Sequence, residues 1–70
     1  MSEQGDHLKG VVTEMLPNAE SLIALDTRFE TVRCYLSGKM RLHKIRIAIG
    51  DRVEIVLPPQ SSVGRIVKRL

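Results

Sequence analysis

Aromatic side chains are almost missing from this sequence, which has no tryptophan, one tyrosine and one phenylalanine in 70 residues. That scarcity argues against a platform of stacked rings for single-stranded nucleic acid, which needs several exposed aromatics. Cysteine occurs once, as Cys34, so no internal disulfide forms. A domain this small in an oxidising compartment normally needs such staples, which points to the cytoplasm. One cysteine and two distant histidines, His7 and His43, do not make a metal site. Long apolar runs are also missing. Those present are a few residues long, against the roughly 20 of a membrane-spanning helix, so no membrane span is expected. The first six residues are polar and acidic, so no secretory signal is expected. Met1-Ser2 lacks the Met-Gly start of myristoylation. Ser37, Ser61 and Ser62 lack a Gly-x-Ser-x-Gly context, and no glycine-rich phosphate loop precedes a helix. Catalysis therefore finds no support, and no cofactor is expected.

What is present is a short, basic, β-patterned chain. Its length allows one domain with a thin core, since a chain of this size buries only roughly 60% of its unfolded surface. The net charge is +3, and it is unevenly spread. Residues 1–30 carry two cations against six acids, a balance of −4, while residues 31–70 carry nine against two, a balance of +7. A one-sided basic surface suggests a polyanion partner, although a solvated charged face gives the same composition. Arginine outnumbers lysine six to three in the basic half, and its planar fork suits phosphates and guanine edges.

Alternation of apolar and polar residues dominates from residue 8 onward. Residues 8–16 read as a first strand, with Gly10 predicting a bulge inside it. Pro17-Asn18 marks a turn. Residues 20–26 form a second strand, with Ile23 and Leu25 on one face. Asp26-Thr27-Arg28 lacks the Asn-Gly of a tight turn and predicts a looser loop. Residues 30–36 form a third strand, with Val32, Cys34 and Leu36 inward and Arg33 and Tyr35 outward. Ser37 is positioned to cap one short helical turn. Residues 45–49 alternate again but stop at Gly50-Asp51, as an extended segment laid across one end of a barrel would. Residues 52–57 form the fourth strand, with Val53, Ile55 and Leu57 inward. Pro58-Pro59 opens a loop. Residues 63–69 form the fifth, with Arg65, Val67 and Arg69 on one face and Lys68 on the other. Residues 1–7 are expected to be a disordered tail and residues 8–70 a single domain.

A flat sheet of five strands would leave one face bare, whereas closure into a small barrel buries the inward positions and removes open edges. The expected fold is all-β: a five-stranded OB-fold barrel with one short helix between strands 3 and 4. Cold-shock proteins share that fold but display rows of aromatics, which this chain lacks. Shape and phosphate recognition of folded RNA fits it better.

Several blocks carry a resemblance. Residues 10–18 (Gly-Val-Val-Thr-Glu-Met-Leu-Pro-Asn), Ser37-Gly38-Lys39-Met40-Arg41, Ile45-Arg46-Ile47, Gly50-Asp51-Arg52-Val53 and Gly64-Arg65-Ile66-Val67-Lys68-Arg69 together resemble bacterial translation initiation factor one. The match runs from about residue 8 to the end of the chain. It implies a monomer that binds the decoding site of the small ribosomal subunit, where aminoacyl-tRNA later sits. Implied partners are ribosomal RNA, a small-subunit protein and the two larger initiation factors, with no membrane. Ser21 and Lys44 stand where the family usually has aromatics, and residues 26–29 replace its Asn-Gly hairpin. Pro59-Gln60-Ser61-Ser62 replaces a loop containing an aromatic. These departures leave open a diverged second copy of the factor.

The RNA-contact candidates are Lys39, Arg41, His43, Lys44 and Arg46 around the short helix, and Arg65, Lys68 and Arg69 on the last strand. Clustered cations are the expected signature, because phosphates dominate the affinity of such interfaces. Arg46 is expected to point outward from an apolar anchor formed by Ile45 and Ile47. Tyr35 suits either base stacking or cross-strand packing. Met40 reads as a core plug and Cys34 as an inert core thiol. Two other readings stand beside this one: a general RNA-binding barrel or chaperone, and a ring-forming protein adaptor.

Overall fold

The computed structural model describes residues 5–27 and 30–70. These residues form five strands: β1 (Asp6–Leu16), β2 (Glu20–Leu25), β3 (Thr31–Leu36), β4 (Arg52–Leu57) and β5 (Val63–Arg69). A single short helix, α1 (Gly38–Leu42), lies between β3 and β4. The strands close into a barrel in the order β1-β2-β3-β5-β4. All neighbours are antiparallel except β3 and β5, which run parallel. The expected all-β barrel with its helical insertion is therefore observed.

The core follows from the alternation. Val12, Ile23, Leu25, Val32, Cys34, Met40, Val53, Ile55 and Ile66 pack together, with Leu8, Leu36, Ile47 and Leu57 against them. Most of these are β-branched or aliphatic, the residues that fit a pleated and half-buried surface. Val56 is also fully buried, although it is outside that cluster; its ladder partners are His7 and Arg65.

Three sequence-based expectations need correction. β1 begins at Asp6, so Asp6 and His7 belong to the strand and not to a tail; they pair with Leu57 and Val56. Residues 1–4 lie outside the described residues, as do Arg28 and Phe29 in the predicted loose loop. The bulge in β1 is at Thr13 and not Gly10: Val12 and Glu14 oppose Ile23 and Leu22, leaving Thr13 as the extra residue. The Thr13 hydroxyl donates to the Leu22 carbonyl across the gap at 3.2 Å. Gly10 answers a different need. A Cβ there would stand 2.5 Å from the Ala24 carbonyl oxygen and 2.7 Å from Ile23 Cγ2. The last correction is in β5. Ile66 and Lys68 oppose Ile55 and Glu54, so Val67 is an extra residue and the strict period of two is lost. Arg65 and Arg69 consequently do not share a face.

Cys34 is fully buried opposite Gly64 at the parallel junction. Burial pushes its thiol up to about 12 against a smaller opposing effect of the Gly64 backbone hydrogen bond. A thiol held protonated over the whole physiological range is a poor nucleophile.

Candidate nucleic-acid interface

The basic connection from β3 to β4 is shaped by local hydrogen bonds. Ser37 caps α1, its hydroxyl accepting from the Met40 N–H at 3.2 Å. The Ser37 N–H donates to the Ile66 carbonyl at 2.9 Å, which ties the start of the helix to β5. Met40 is 1% exposed and plugs the barrel. At the other end, the Lys44 N–H donates to the Arg41 carbonyl at 3.1 Å and the Ile45 N–H to the Met40 carbonyl at 3.0 Å. These two bonds are the Schellman closure of a helix, whose pivot residue adopts the left-handed conformation. The pivot is Lys44, at φ 54°.

Glycine is the usual residue there because a Cβ costs roughly 1–2 kcal/mol in that conformation. Lys44→Gly is therefore expected to hold or raise stability, by up to about 1 kcal/mol after the extra freedom of the unfolded chain is counted. Thermal unfolding checks it: a melting temperature lowered by several degrees would show that the lysine stem supports the fold.

Beyond α1, residues 45–48 are extended without pairing as a strand. Ile47 packs on the core while Ile45 is 36% exposed, so Ile47 provides most of the apolar anchor. The segment ends in a turn in which the Asp51 N–H donates to the Ala48 carbonyl at 3.0 Å and Gly50 sits at φ 96°. The Ala48 N–H donates in return to Asp51 Oδ2 at 2.8 Å. The Gly50 N–H reaches the Val12 carbonyl at 2.8 Å, pinning the turn to β1. Gly50-Asp51 is thus a fastening: glycine supplies the positive φ and aspartate takes a loop donor.

This frame brings some of the candidate cations together. Lys39 and Arg65 line one open cleft of about 430 Å³ with Ser37, Gly38 and Val67. Arg46 lines a second, smaller cleft of about 240 Å³ with Met15, Ala19, Ser21, Leu36 and Ile47. Leu36 and Ser37 are consecutive, so the two clefts flank one stretch of chain. Arg41, His43 and Lys44 are exposed on the turn of α1. Arg69 stands apart, with its Nε 3.6 Å from Asp51 Oδ2. Lys68 is exposed opposite Glu54.

Several of the acids are engaged with other cations. Glu20 pairs with Arg33 at 3.6 Å, Asp26 with Arg52, and Glu54 with His7 at 3.0 Å. These pairs are partly exposed and contribute little stability. Their main consequence is electrostatic. They offset cations on the strands, whereas Lys39, Arg41, Lys44 and Arg46 have no acidic partner among the described residues. Arg33 and Arg52 were not singled out from sequence; their engagement follows from strand register, and no local motif marks it. Tyr35 is 37% exposed, with Glu20 and Arg65 as its ladder partners.

Among the described residues, no group of three or more His, Cys, Asp or Glu is placed to hold a metal. Among the same residues, no helix is long and apolar enough to cross a membrane.

No family model matches the chain. The solved structures are more informative. The solution structure of translation initiation factor one from the Wolbachia endosymbiont strain TRS of Brugia malayi is 41% identical, with a TM-score of 0.78. The match covers 93% of this chain and 77% of that one. The chain belongs to the family of translation initiation factor one. Its role is accordingly in translation initiation. The crystal structure of YjeQ from Thermotoga maritima also matches, at 31% identity and a TM-score of 0.79. That match covers 93% of this chain but 23% of YjeQ, so the same barrel also occurs within a much longer protein. The bonds described above give physical roles to the motifs that suggested the initiation-factor family. Ser37 caps, Met40 plugs, Ile47 anchors and Gly50-Asp51 fastens, and the cations between them are left facing solvent.

Proposed function

We propose that the chain binds the decoding site of the small ribosomal subunit through ribosomal RNA and blocks premature entry of tRNA there. In this reading it acts in the cytoplasm as a monomer, contacts a neighbouring small-subunit protein and assists the two larger initiation factors. Lys39, Arg41, Arg46 and Arg65 make the principal phosphate contacts, with Lys44 and His43 beside them and Lys68 and Arg69 at the margin. The observation that carries the proposal is the run of four cations on the β3–β4 connection with no acidic partner among the described residues. An uncompensated cluster on a braced loop suits a fixed array of phosphates better than it suits solvent.

Co-sedimentation with purified small subunits across a salt series tests it. With about four phosphate contacts, the logarithm of the binding constant should fall against that of salt with a slope near −3, at roughly −0.7 per contact. A competing decoding-site ligand should displace the chain. Equal binding to unstructured RNA and to small subunits would instead make it a general RNA-binding barrel.

A further inference from the structure

The same connection that carries the cations also exposes apolar surface. Leu42, the last residue of α1, is 77% exposed, and Ile49 in the following turn is 64% exposed. Ile45 between them is 36% exposed. Half of the large apolar side chains exposed among the described residues therefore fall within residues 42–49, the others being Met15, Tyr35 and Leu70. The helix buries only Met40, so Leu42 adds little to the barrel. Around it in sequence stand Lys39, Arg41, Lys44 and Arg46, and no acidic residue occurs from position 31 to 50.

An apolar side chain held in water among uncompensated cations fits a polyanion that also offers apolar surface. RNA is such a partner. Its phosphates meet the cations, while ribose and base faces can cover a leucine. An acidic protein surface is the poorer match, because the buried centres of protein interfaces are depleted of charge. We infer that Leu42 makes a non-ionic contact with RNA, adding affinity to the interface without adding salt dependence. This inference rests on the ribosomal RNA reading above. It separates two contributions within that interface: the cations release counterions from the RNA, and the leucine loses water.

Leu42→Ser tests it. At 77% exposure the change should leave the melting temperature within a few degrees. Binding to small subunits should weaken roughly tenfold at every salt concentration, with the log–log slope unchanged. Tenfold corresponds to about 1.4 kcal/mol, just below the usual gain from fully burying one leucine. As a second measurement, a photoreactive benzophenone amino acid at position 42 should crosslink to RNA in the small subunit. Unchanged affinity for Leu42→Ser would overturn the inference. So would a flattened slope, which would mean that the change disturbed the cations. A crosslink only to ribosomal protein would overturn it in favour of a protein contact. The two proposals fail differently. A wild-type chain that does not bind removes both, whereas a wild type with a slope near −3 and an equally tight Leu42→Ser removes only this one.

Discussion

Replacing Arg41 and Arg46 together by alanine is expected to weaken binding to the small subunit roughly 25-fold at ~0.1 M salt, and to flatten the salt slope by about 1.4. Each lost phosphate contact contributes about 0.7 to the slope, and over the tenfold range from 0.1 M to 1 M that is close to fivefold in affinity. Both side chains are exposed, and neither pairs with an acid among the described residues. Their removal should therefore leave the fold intact. The measurement is the co-sedimentation series repeated on the double variant, with a thermal melt as control. An unchanged slope would take both arginines out of the interface. A lowered melting temperature would show instead that Arg46 supports the apolar cleft it lines beside Leu36 and Ile47.

The largest stability effect is expected at Gly10. Gly10→Ala should destabilise the barrel by about 3 kcal/mol, the upper part of the usual range for overpacking, or roughly 15 °C in melting temperature for a domain this small. The added carbon would stand 2.5 Å from a backbone oxygen on β2. A flexible side chain can swing away, but the Ala24 carbonyl is fixed by its strand. Relief requires β1 and β2 to separate next to the Val12–Ile23 pair, both members of which are in the core. Chemical denaturation of the variant measures the effect. A loss below about 1 kcal/mol would mean that the hairpin yields easily, and that Gly10 has no packing role.

How much of this was legible in the sequence depended on the distance over which each feature acts. The Ser37 cap was readable because the donor it satisfies is Met40, three residues on. The inward positions of β2 and β3 were readable because alternation is local. The end of the strand pattern at Gly50-Asp51 was readable for the same reason. The two bulges were not. An extra residue exists only relative to a partner strand, and nothing in the order of residues 63–69 says that Val67 will be unmatched opposite β4. Gly10 suggests a bulge from sequence because glycine inside a strand has two meanings. The one that applied depends on an oxygen contributed by β2. The start of β1 is hidden for the same reason: Asp6 and His7 look like tail until Val56 and Leu57 supply their ladder.

The site divides along the same line. Lys39, Arg41, Lys44 and Arg46 stand out as candidate contacts in the sequence because capping, plugging and anchoring residues alternate with them along the chain. Arg69 looked equivalent to Arg65 by period, and the Val67 bulge undid that equivalence. In the sequence Lys44 is one cation among several; its left-handed backbone appears only when the helix closes around it.

By itself, then, the order of residues determined the number of strands, most of their inward faces, the short capped helix and membership of a family built on those features. Each of these is set by hydrogen bonds and hydrophobic alternation spanning a few residues. Only the tertiary structure decided which charges remain uncompensated, that Lys39 and Arg65 share a cleft, and where backbones approach too closely for a Cβ. Those outcomes depend on pairing between strands far apart in sequence, and a shift of one residue in register changes which groups meet.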